Sequence, residues 1–257
     1  MPGDISKAFL LAAGQGTRLR PLTDHTPKCL VPIDGQPLLS IWLDFCERLG
    51  VQEVLINTHH LAGQVSDWAA KQKSAIKIQL FHEAALLGSA GTLAANRAFV
   101  GDDSNFYVFY ADNLVRTDLS CLRTTHRENL GVVTMGLFET PRPQDCGIVT
   151  LDEGGRIISF EEKPAHPRSN LAFAGLLIAS TSLFDWLPQP TNPDDSGGTS
   201  RAADLGKEIL PKLVGKMWGA RLEGYLLDIG TPENYARGLR EWPMVSRAGG
   251  AASDAAH

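Results

Sequence analysis

The chain has 257 residues and a formal net charge of −5 at pH 7, with 24 basic and 29 acidic side chains. This length fits one large α/β domain, and the acidic balance argues against a surface that binds nucleic acid. No apolar run approaches the roughly 20 residues that cross a bilayer. The cysteines show neither a CxxC spacing nor a histidine at metal-ligand spacing, which argues against a zinc site and a disulfide framework; they are Cys29, Cys46, Cys121 and Cys146. The composition therefore predicts a cytoplasmic protein without membrane or nucleic-acid partners.

The first half of the chain alternates apolar runs of strand length with segments of helical periodicity, which is typical of a parallel sheet flanked by helices. Residues 7–12 form the first predicted strand. Apolar residues then recur at helical spacing from Leu38 to Leu49, before the stop signal of Gly50. Strands and helices continue to alternate over residues 51–57, 62–71, 76–82, 92–100 and 106–110. We therefore expect a Rossmann-like, doubly wound and mostly parallel α/β sheet with helices on both faces.

The second half begins with a different pattern. Short runs at residues 132–138, 147–151 and 156–161 predict antiparallel strands, the last two joined by a turn at 152–155. We expect them to form a small antiparallel lid over the open end of the sheet. Two further segments lack periodicity: residues 188–200 predict a surface loop, and residues 246–257 a flexible tail.

A glycine-rich loop follows the first strand directly. Gly14 and Gly16 permit a tight turn that brings bare N–H groups against anionic oxygens, and Arg18, Arg20 and Lys28 add charge-assisted contacts. The loop lacks the third glycine of the dinucleotide fingerprint and the Gly-Lys-Ser/Thr of the P-loop. The alternative is a left-handed turn with solvated basic residues, which would make the three cations coincidental. The loop therefore predicts a polyphosphate ligand.

The same loop resembles the signature of the sugar-phosphate nucleotidyltransferases, also called nucleotide-sugar pyrophosphorylases. The family pattern Gly-x-Gly-Thr-Arg-Leu-x-Pro-Leu-Thr, followed by Pro-Lys, is present between Gly14 and Lys28. The resemblance covers residues 7–240 and is nearest in motif to mannose-1-phosphate and heptose-1-phosphate guanylyltransferases. It implies that the nucleotide is bound by Leu11, Ala13, Gly14, Gln15, Gly16, Thr17, Arg18 and Lys28.

Two aspartates are candidate ligands of a divalent cation. Asp112 follows the predicted strand 106–110, at the carboxyl edge where ligands of such sheets bind; alternatively it forms a turn with Asn113. Asp228 begins the run Asp-Ile-Gly-Thr-Pro-Glu, which again resembles the family; alternatively it ends a strand as a turn former. The resemblance implies that Asp112 and Asp228 share one Mg²⁺ ion.

A Glu-Lys-Pro motif begins at Glu162 and is similar to one in the family. The resemblance implies that Lys163 meets the sugar phosphate and Glu162 a sugar hydroxyl, with Gly147 and Gly175 also in the sugar-phosphate site. A solvated charge cluster is the alternative. The chain departs from the family at Phe173, where many members have the asparagine of Asn-Ala-Gly, so the acceptor need not be plain mannose or glucose.

Glu83 and the run Leu87–Thr92 match the base-recognition region of the family. A carboxylate can accept both N1–H and N2–H₂ of guanine, whereas uracil or thymine suits an amide side chain. Gly88 and Ser89 are further predicted nucleotide contacts; the alternative is that Ser89 or Thr92 caps a helix. Some uridylyltransferases also carry a glutamate at this position. GTP is therefore the favoured nucleotide, with UTP and dTTP left open.

Together these motifs imply Mg²⁺-dependent transfer of a nucleoside monophosphate from an NTP to a mannose- or heptose-type sugar 1-phosphate, with release of pyrophosphate. The alternatives are uridylyl or thymidylyl transfer and a nucleotide-sugar-binding regulator without turnover. We expect one catalytic domain over residues 1–245, with a nucleotide half (7–130), a sugar-phosphate half (131–240) and no C-terminal β-helix. A homo-oligomer is left open. The implied catalytic residues are Arg18, Lys28, Asp112, Lys163 and Asp228.

Overall fold

In the computed structural model, which describes residues 5–189 and 202–248, the chain folds into two compact units. The first unit contains the described residues of Met1–Phe9, Glu83–Phe109 and Leu119–Glu223. The second unit contains those of Leu10–His82, Tyr110–Asp118 and Gly224–His257. The predicted division of a single domain into a nucleotide half and a sugar-phosphate half stays a prediction.

The strands within the described residues are β1 (Lys7–Leu11), β2 (Pro32–Ile33), β3 (Gln36–Pro37), β4 (Glu53–Thr58), β5 (Lys77–His82), β6 (Asn105–Tyr110), β7 (Asn113–Thr117), β8 (Val133–Glu139), β9 (Gly147–Leu151), β10 (Ile157–Glu162), β11 (Leu171–Ser180), β12 (Met217–Arg221) and β13 (Gly224–Asp228).

The α-helices are α1 (Leu22–His25), α2 (Leu38–Arg48), α3 (Ala62–Ala69), α4 (Gly88–Ala95), α5 (Arg97–Val100), α6 (Ser120–Asn129) and α7 (Pro232–Ala248). Short 3₁₀ turns form at Thr17–Leu19, Lys28–Leu30, Pro143–Asp145, Thr181–Trp186 and Leu210–Leu213, and Leu205–Ile209 form a π-helical turn.

The first unit is organised around strand β11, which is buried along nearly its whole length. The strand order is β10-β9-β11-β6-β1, with β8 also paired to β11 and β12 to β8. Strand β11 is antiparallel to β6 and to β8, while β12 is parallel to β8, so β6, β8 and β12 run in one direction. Aromatic rings fill the core here: Phe106 contacts Phe9 and Phe184, with ring centroids 5.5 Å and 5.4 Å apart.

The second unit has the strand order β1-β4-β5, in which β4 and β5 are parallel. Helix α2 is amphipathic and buries Leu38, Trp42 and Phe45. Two small antiparallel sheets complete this unit: the β2–β3 hairpin and the pair β7–β13. A mixed, mostly parallel sheet with helices confirms the predicted Rossmann-like α/β class, and the described residues contain no β-helix.

Most predicted elements of the first half are confirmed, with the ends displaced by a residue or two. Helix α4 differs: it begins at Gly88, earlier than the predicted 92–100, and Asn96 separates it from α5. The predicted antiparallel strands form as β8, β9 and β10, and the β9–β10 hairpin pairs through β9 with β11, within the same sheet.

Two predicted segments fall wholly or partly outside the described residues. Of the loop predicted at 188–200, residues 190–200 lie outside them, as do residues 249–257 of the predicted tail. Helix α7 continues to Ala248, so the predicted tail begins too early. Within the described ranges, no helix is long and apolar enough to cross a membrane.

The first unit also buries a histidine. His126 on α6 is 5% exposed, and its ring nitrogens lie 2.8 Å from Thr134 Oγ1 and 2.9 Å from Asn105 Oδ1. Burial lowers the pKa of His126 from its ordinary 6.5 to about 4. The unfolded chain therefore binds a proton below pH 6.5 that the folded chain does not accept, so this residue costs stability as the pH falls from 6.5 towards 4.

We predict that lowering the pH from 7.5 to 5.5 removes about 1 kcal/mol of unfolding free energy through His126. Urea unfolding at the two pH values checks this in the wild type and in His126→Gln. The variant should be less stable at both values, but its stability should fall by about 1 kcal/mol less between them. Equal pH dependence in the two proteins would contradict the assignment.

Candidate active site

The glycine-rich loop is held in place by side chains from elsewhere in the second unit. Asn57, the buried amide near the end of β4, accepts a hydrogen bond from Ala12 N at 2.6 Å. The hydroxyl of Thr23 donates to Gly16 O at 2.8 Å. His60 Nε2 lies 2.8 Å from Thr23 O, so the loop is fixed at both of its ends.

The two loop glycines differ in what the fold requires of them. Gly16 has φ 64°, and a Cβ there would lie 2.8 Å from Thr23 Cγ2 and 3.1 Å from Lys28 Cβ. Gly14 lies in open, exposed backbone, and a Cβ there would meet no atom within 4 Å. The fold therefore requires glycine at Gly16 and does not require it at Gly14, where the missing side chain leaves backbone accessible to a ligand.

Lys28 and two aspartates form the centre of the site. Lys28 Nζ lies 2.8 Å from Asp112 Oδ2 and 3.6 Å from Asp228 Oδ1. Its side chain is only 7% exposed, whereas the side chains of Asp112 and Asp228 are 42% and 51% exposed. The buried ammonium is thus compensated by two carboxylates that each keep an open side.

Arg18 completes this cluster from the glycine-rich loop. Its guanidinium approaches Asp228 Oδ2 at 3.9 Å and its side chain is 64% exposed. Gly230 lies where the side chains meet: a Cβ there would be 2.8 Å from Asp228 Oδ1 and 2.9 Å from both Arg18 Nη2 and Lys28 Nζ. We call Arg18, Lys28, Asp112 and Asp228 the four-charge cluster.

Backbone pairing brings the two aspartates together. In the antiparallel β7–β13 pair, Asp228 is the partner of Asn113, which directly follows Asp112. Trp42 Nε1 donates to Asn113 O at 2.9 Å and anchors β7 to α2. Asn234 Nδ2 donates to Asp228 O at 2.7 Å, so the first turn of α7 fixes the other strand.

The cluster has two positive and two negative charges and therefore balances itself. The carboxylates of Asp112 and Asp228 both face one cation, the ammonium of Lys28, so their oxygens already converge as the ligands of a hard divalent cation must. No group of three or more candidate metal-binding side chains occurs in residues 5–189 and 202–248. Two carboxylates suffice for Mg²⁺ when phosphate oxygens and water complete its shell.

In the first unit, Glu83 is buried, with 2% of its surface exposed. Its carboxylate accepts hydrogen bonds from Leu87 N at 2.9 Å and from Thr92 Oγ1 at 2.5 Å. These bonds fix the N-terminal turn of α4 and explain the early start of this helix. Glu83 therefore stabilises the start of α4, a role that the sequence did not predict. Its contact with a base stays a prediction.

Gly88 and Ser89 are also engaged within the first unit. Gly88 has φ 73°, and a Cβ there would lie 2.4 Å from Ala203 O. Ser89 Oγ accepts from Leu205 N at 2.7 Å and donates to Asp204 Oδ2 at 3.2 Å. Both predicted nucleotide contacts therefore border the segment Ala203–Leu205.

The predicted sugar-phosphate residues lie on β9, β10 and β11. Glu162 is directly opposite Gly147 in the β9–β10 pair. Lys163 follows at φ 50°, an uncommon conformation for a residue with a side chain, and donates its N–H to Cys146 O at 2.9 Å. Gly175 has φ 73° and lies where the β11–β8 register shifts.

The comparison with protein families decides the classification. A family model described as nucleotidyl transferase matches residues 7–242 of this chain. The chain belongs to the nucleotidyl transferase family.

Two relatives in this family differ in the nucleotide that their names give. The mannose-1-phosphate guanylyltransferase catalytic subunit beta of Dictyostelium discoideum is 29% identical over 239 residues, covering 91% of this chain and 63% of the relative. The UTP–glucose-1-phosphate uridylyltransferase of Synechocystis is 29% identical over 252 residues, covering 91% and 62%. This nucleotidyl transferase chain thus spans less than two thirds of the length of either relative.

A solved structure supports the fold. The putative glucose-1-phosphate thymidylyltransferase from Bacillus anthracis, solved with sucrose, superposes with a TM-score of 0.77 at 22% identity. The match covers 91% of this chain and 94% of that one. This likeness confirms that the nucleotidyl transferase chain has the Rossmann-like fold.

Several residues of the site were not found from the sequence. Asn57 and Asn234 form hydrogen bonds with the backbone of the site, and no local pattern marks such a role. Gly230 belongs to the Asp-Ile-Gly run, and its lack of a side chain could have indicated that other side chains meet there. Arg20 pairs with Asp24 at 3.1 Å, and its contact with phosphate stays a prediction.

We predict that alanine lowers stability at Gly16 and weakens ligand binding at Gly14. Gly16→Ala should lower the unfolding free energy by about 2 kcal/mol, because it combines a left-handed backbone with a clash against Thr23. Gly14→Ala should stay within about 0.5 kcal/mol of the wild type, yet weaken GTP binding. Urea unfolding and calorimetric titration measure the two effects. Unchanged GTP affinity in Gly14→Ala would contradict the ligand-facing assignment of this glycine.

Proposed function

We propose that this chain transfers GMP from GTP to a mannose- or heptose-type sugar 1-phosphate, with release of pyrophosphate. The single observation that carries the proposal is the contact of Lys28 Nζ with both Asp112 and Asp228, at 2.8 Å and 3.6 Å, in the unit that carries the glycine-rich loop. A cation-rich loop beside paired carboxylates suits a reaction between phosphates, which needs both positive charge and metal ligands.

The proposed reaction is an in-line displacement. An oxygen of the sugar phosphate attacks the α-phosphorus of GTP, a new phosphorus–oxygen bond forms, and the bond to the pyrophosphate oxygen breaks. The obstacle is repulsion between two anions together with charge that builds on the leaving group. No side chain has to act as a nucleophile, and burial raises the pKa of the Cys29 thiol to about 12, which keeps this neighbour of Lys28 protonated.

The cations of this chain would reduce that repulsion at three places. Arg18, which is exposed on the glycine-rich loop, would neutralise the departing β- and γ-phosphates. Lys28 is assigned to the α-phosphate and Lys163 to the incoming sugar phosphate. Asp112 and Asp228 would hold a Mg²⁺ ion, which when bound supplies positive charge to the reacting phosphates.

Guanine is the proposed base because the run Leu87–Thr92 is most similar to that of mannose-1-phosphate guanylyltransferases. The Dictyostelium relative carries that name, and the equally similar Synechocystis relative makes UTP the competing nucleotide. The bonds from Leu87 and Thr92 to Glu83 hold this run in place, and a rigid run would help to favour one base over another.

The acceptor is proposed to be a sugar 1-phosphate that lies against Glu162 and Lys163. Burial raises the pKa of Glu162, while Lys163 opposes that shift. A carboxylate in such a place accepts hydrogen bonds from sugar hydroxyls. Phe173 stands where many members of the family have asparagine, so the acceptor need not be plain mannose 1-phosphate or glucose 1-phosphate.

The test measures pyrophosphate release with Mg²⁺ for GTP, UTP, dTTP, CTP and ATP, each against a panel of hexose and heptose 1-phosphates. We expect the fastest release from GTP with a mannose- or heptose-type acceptor. Asp228→Asn should lower kcat/KM at least about 100-fold. It should fold normally, because an asparagine oxygen can still accept the bond that Gly230 N donates to Asp228 Oδ1 at 2.7 Å.

The matched control is Asp67→Asn, which changes an exposed aspartate on α3 and should leave kcat/KM unchanged. Release with UTP or dTTP alone would overturn the choice of guanine. If no pair of substrates releases pyrophosphate although GTP still binds, this result would contradict catalysis and support the nucleotide-sugar-binding regulator.

A further inference from the structure

We infer that Gly206 is a positioning residue of the acceptor site, because its lack of a side chain sets where the carboxylate of Glu162 lies. This inference rests on the proposed function, in which Glu162 contacts a hydroxyl of the acceptor sugar. It adds a specificity-determining position outside the motifs that identify the family.

The carboxylate of Glu162 occupies a slot between two glycines. A Cβ on Gly147 would lie 2.8 Å from Glu162 Oε2, and a Cβ on Gly206 would lie 2.9 Å from the same oxygen. Neither position has a left-handed backbone that would by itself call for glycine. A Cβ on Gly147 would also lie 2.9 Å from Phe160 Cζ, whereas the nearest atoms to a Cβ on Gly206 belong to Glu162. The space that Glu162 occupies therefore explains the glycine at Gly206.

Gly206 lies in an unusual piece of backbone. It belongs to the π-helical turn Leu205–Ile209, and such turns are frequent at functional sites. Asp204 caps this turn by accepting a hydrogen bond from Lys207 N at 3.0 Å. Asp204 Oδ1 would lie 3.3 Å from a Cβ on Gly206, so a second carboxylate borders the slot.

The backbone before Gly206 is fixed to the loop that precedes and begins α4. Ala203 N donates to Leu87 O at 2.8 Å, and Ala203 O accepts from Ala90 N at 2.9 Å. Leu205 N donates to Ser89 Oγ at 2.7 Å. These bonds hold the segment Ala203–Leu205 on both sides, so Gly206 cannot move away from Glu162 without breaking them.

A substitution at Gly206 would displace the side chain of Glu162 rather than the backbone, because the backbone is the more rigid of the two. A methyl group at Gly206 would be carried by a fixed backbone and would meet the carboxylate end of the flexible Glu162 side chain. The side chain of Glu162 gives way, at small cost to folding. The displaced carboxylate loses its hydrogen bond to the acceptor, whereas the four-charge cluster is unaffected.

The experiment compares Gly206→Ala with the wild type and with Gly63→Ala. A Cβ on Gly63, on helix α3, would meet no atom within 4 Å, which makes it the matched control. We expect Gly206→Ala to raise the KM for mannose 1-phosphate, or for the acceptor that the panel identifies, at least about tenfold, as for a lost bond to a charged group. The KM for GTP and the Tm should stay near wild-type values.

A double-mutant cycle tests whether the effect passes through Glu162. In the Glu162→Ala background, Gly206→Ala should add no further increase in the acceptor KM. A wild-type acceptor KM in Gly206→Ala would overturn the inference, as would an equal added loss in the Glu162→Ala background. Failure of the proposed function is distinguishable, because the wild type itself would then release no pyrophosphate.

Discussion

The ammonium of Lys28 is the constraint on which the second unit depends. A side chain that is 7% exposed cannot carry an uncompensated charge, and Asp112 at 2.8 Å compensates it, with Asp228 at 3.6 Å. The pairing of β7 with β13 brings both carboxylates near Lys28. Asp112 directly precedes Asn113, and Asn113 is the partner of Asp228 in this pair. The register of a short two-stranded sheet thus decides whether a distant part of the chain compensates the lysine.

The four-charge cluster has equal numbers of positive and negative charges, so its side chains are suited to exchange one another for charged ligands. Lys28 and Arg18 hold the two carboxylates in convergent positions, and both cations are of the kind that also binds phosphate. In the proposed function, Asp112 and Asp228 would hold the metal ion, and Lys28 and Arg18 would bind phosphate oxygens of the nucleotide. Each of the four side chains would then keep a partner of opposite charge after both ligands have bound.

Two glutamates of the first unit show how neighbours decide the task of a carboxylate. Glu83 has hydrogen-bond donors on both oxygens and stabilises the start of α4. Glu162 lies instead in a slot bounded by Gly147 and Gly206, with Lys163 close enough to oppose the rise of its pKa. The segment Ala203–Leu205 contacts the loop that Glu83 stabilises. The same segment leads to Gly206, which borders the slot of Glu162.

The sequence predicted the elements with strong periodicity and the residues of contiguous motifs. Strand β1, helix α2 and the placement of Asp112 after β6 followed from local patterns, and Asp228 from a resemblance. The β7–β13 pair and the bond between Ser89 and Asp204 join residues far apart in the chain, so no local pattern encodes them. The early start of α4 was missed because its stabilising carboxylate, Glu83, lies outside the helix.

The most direct test of this account is a crystal structure with Mn²⁺ and a non-hydrolysable GTP analogue, read from the anomalous signal of the metal. We expect one strong peak about 2.2 Å from carboxylate oxygens of both Asp112 and Asp228, with Lys28 Nζ moved from Asp112 to a phosphate oxygen. A metal bound elsewhere, or a nucleotide bound while Lys28 keeps both of its carboxylate partners, would contradict it.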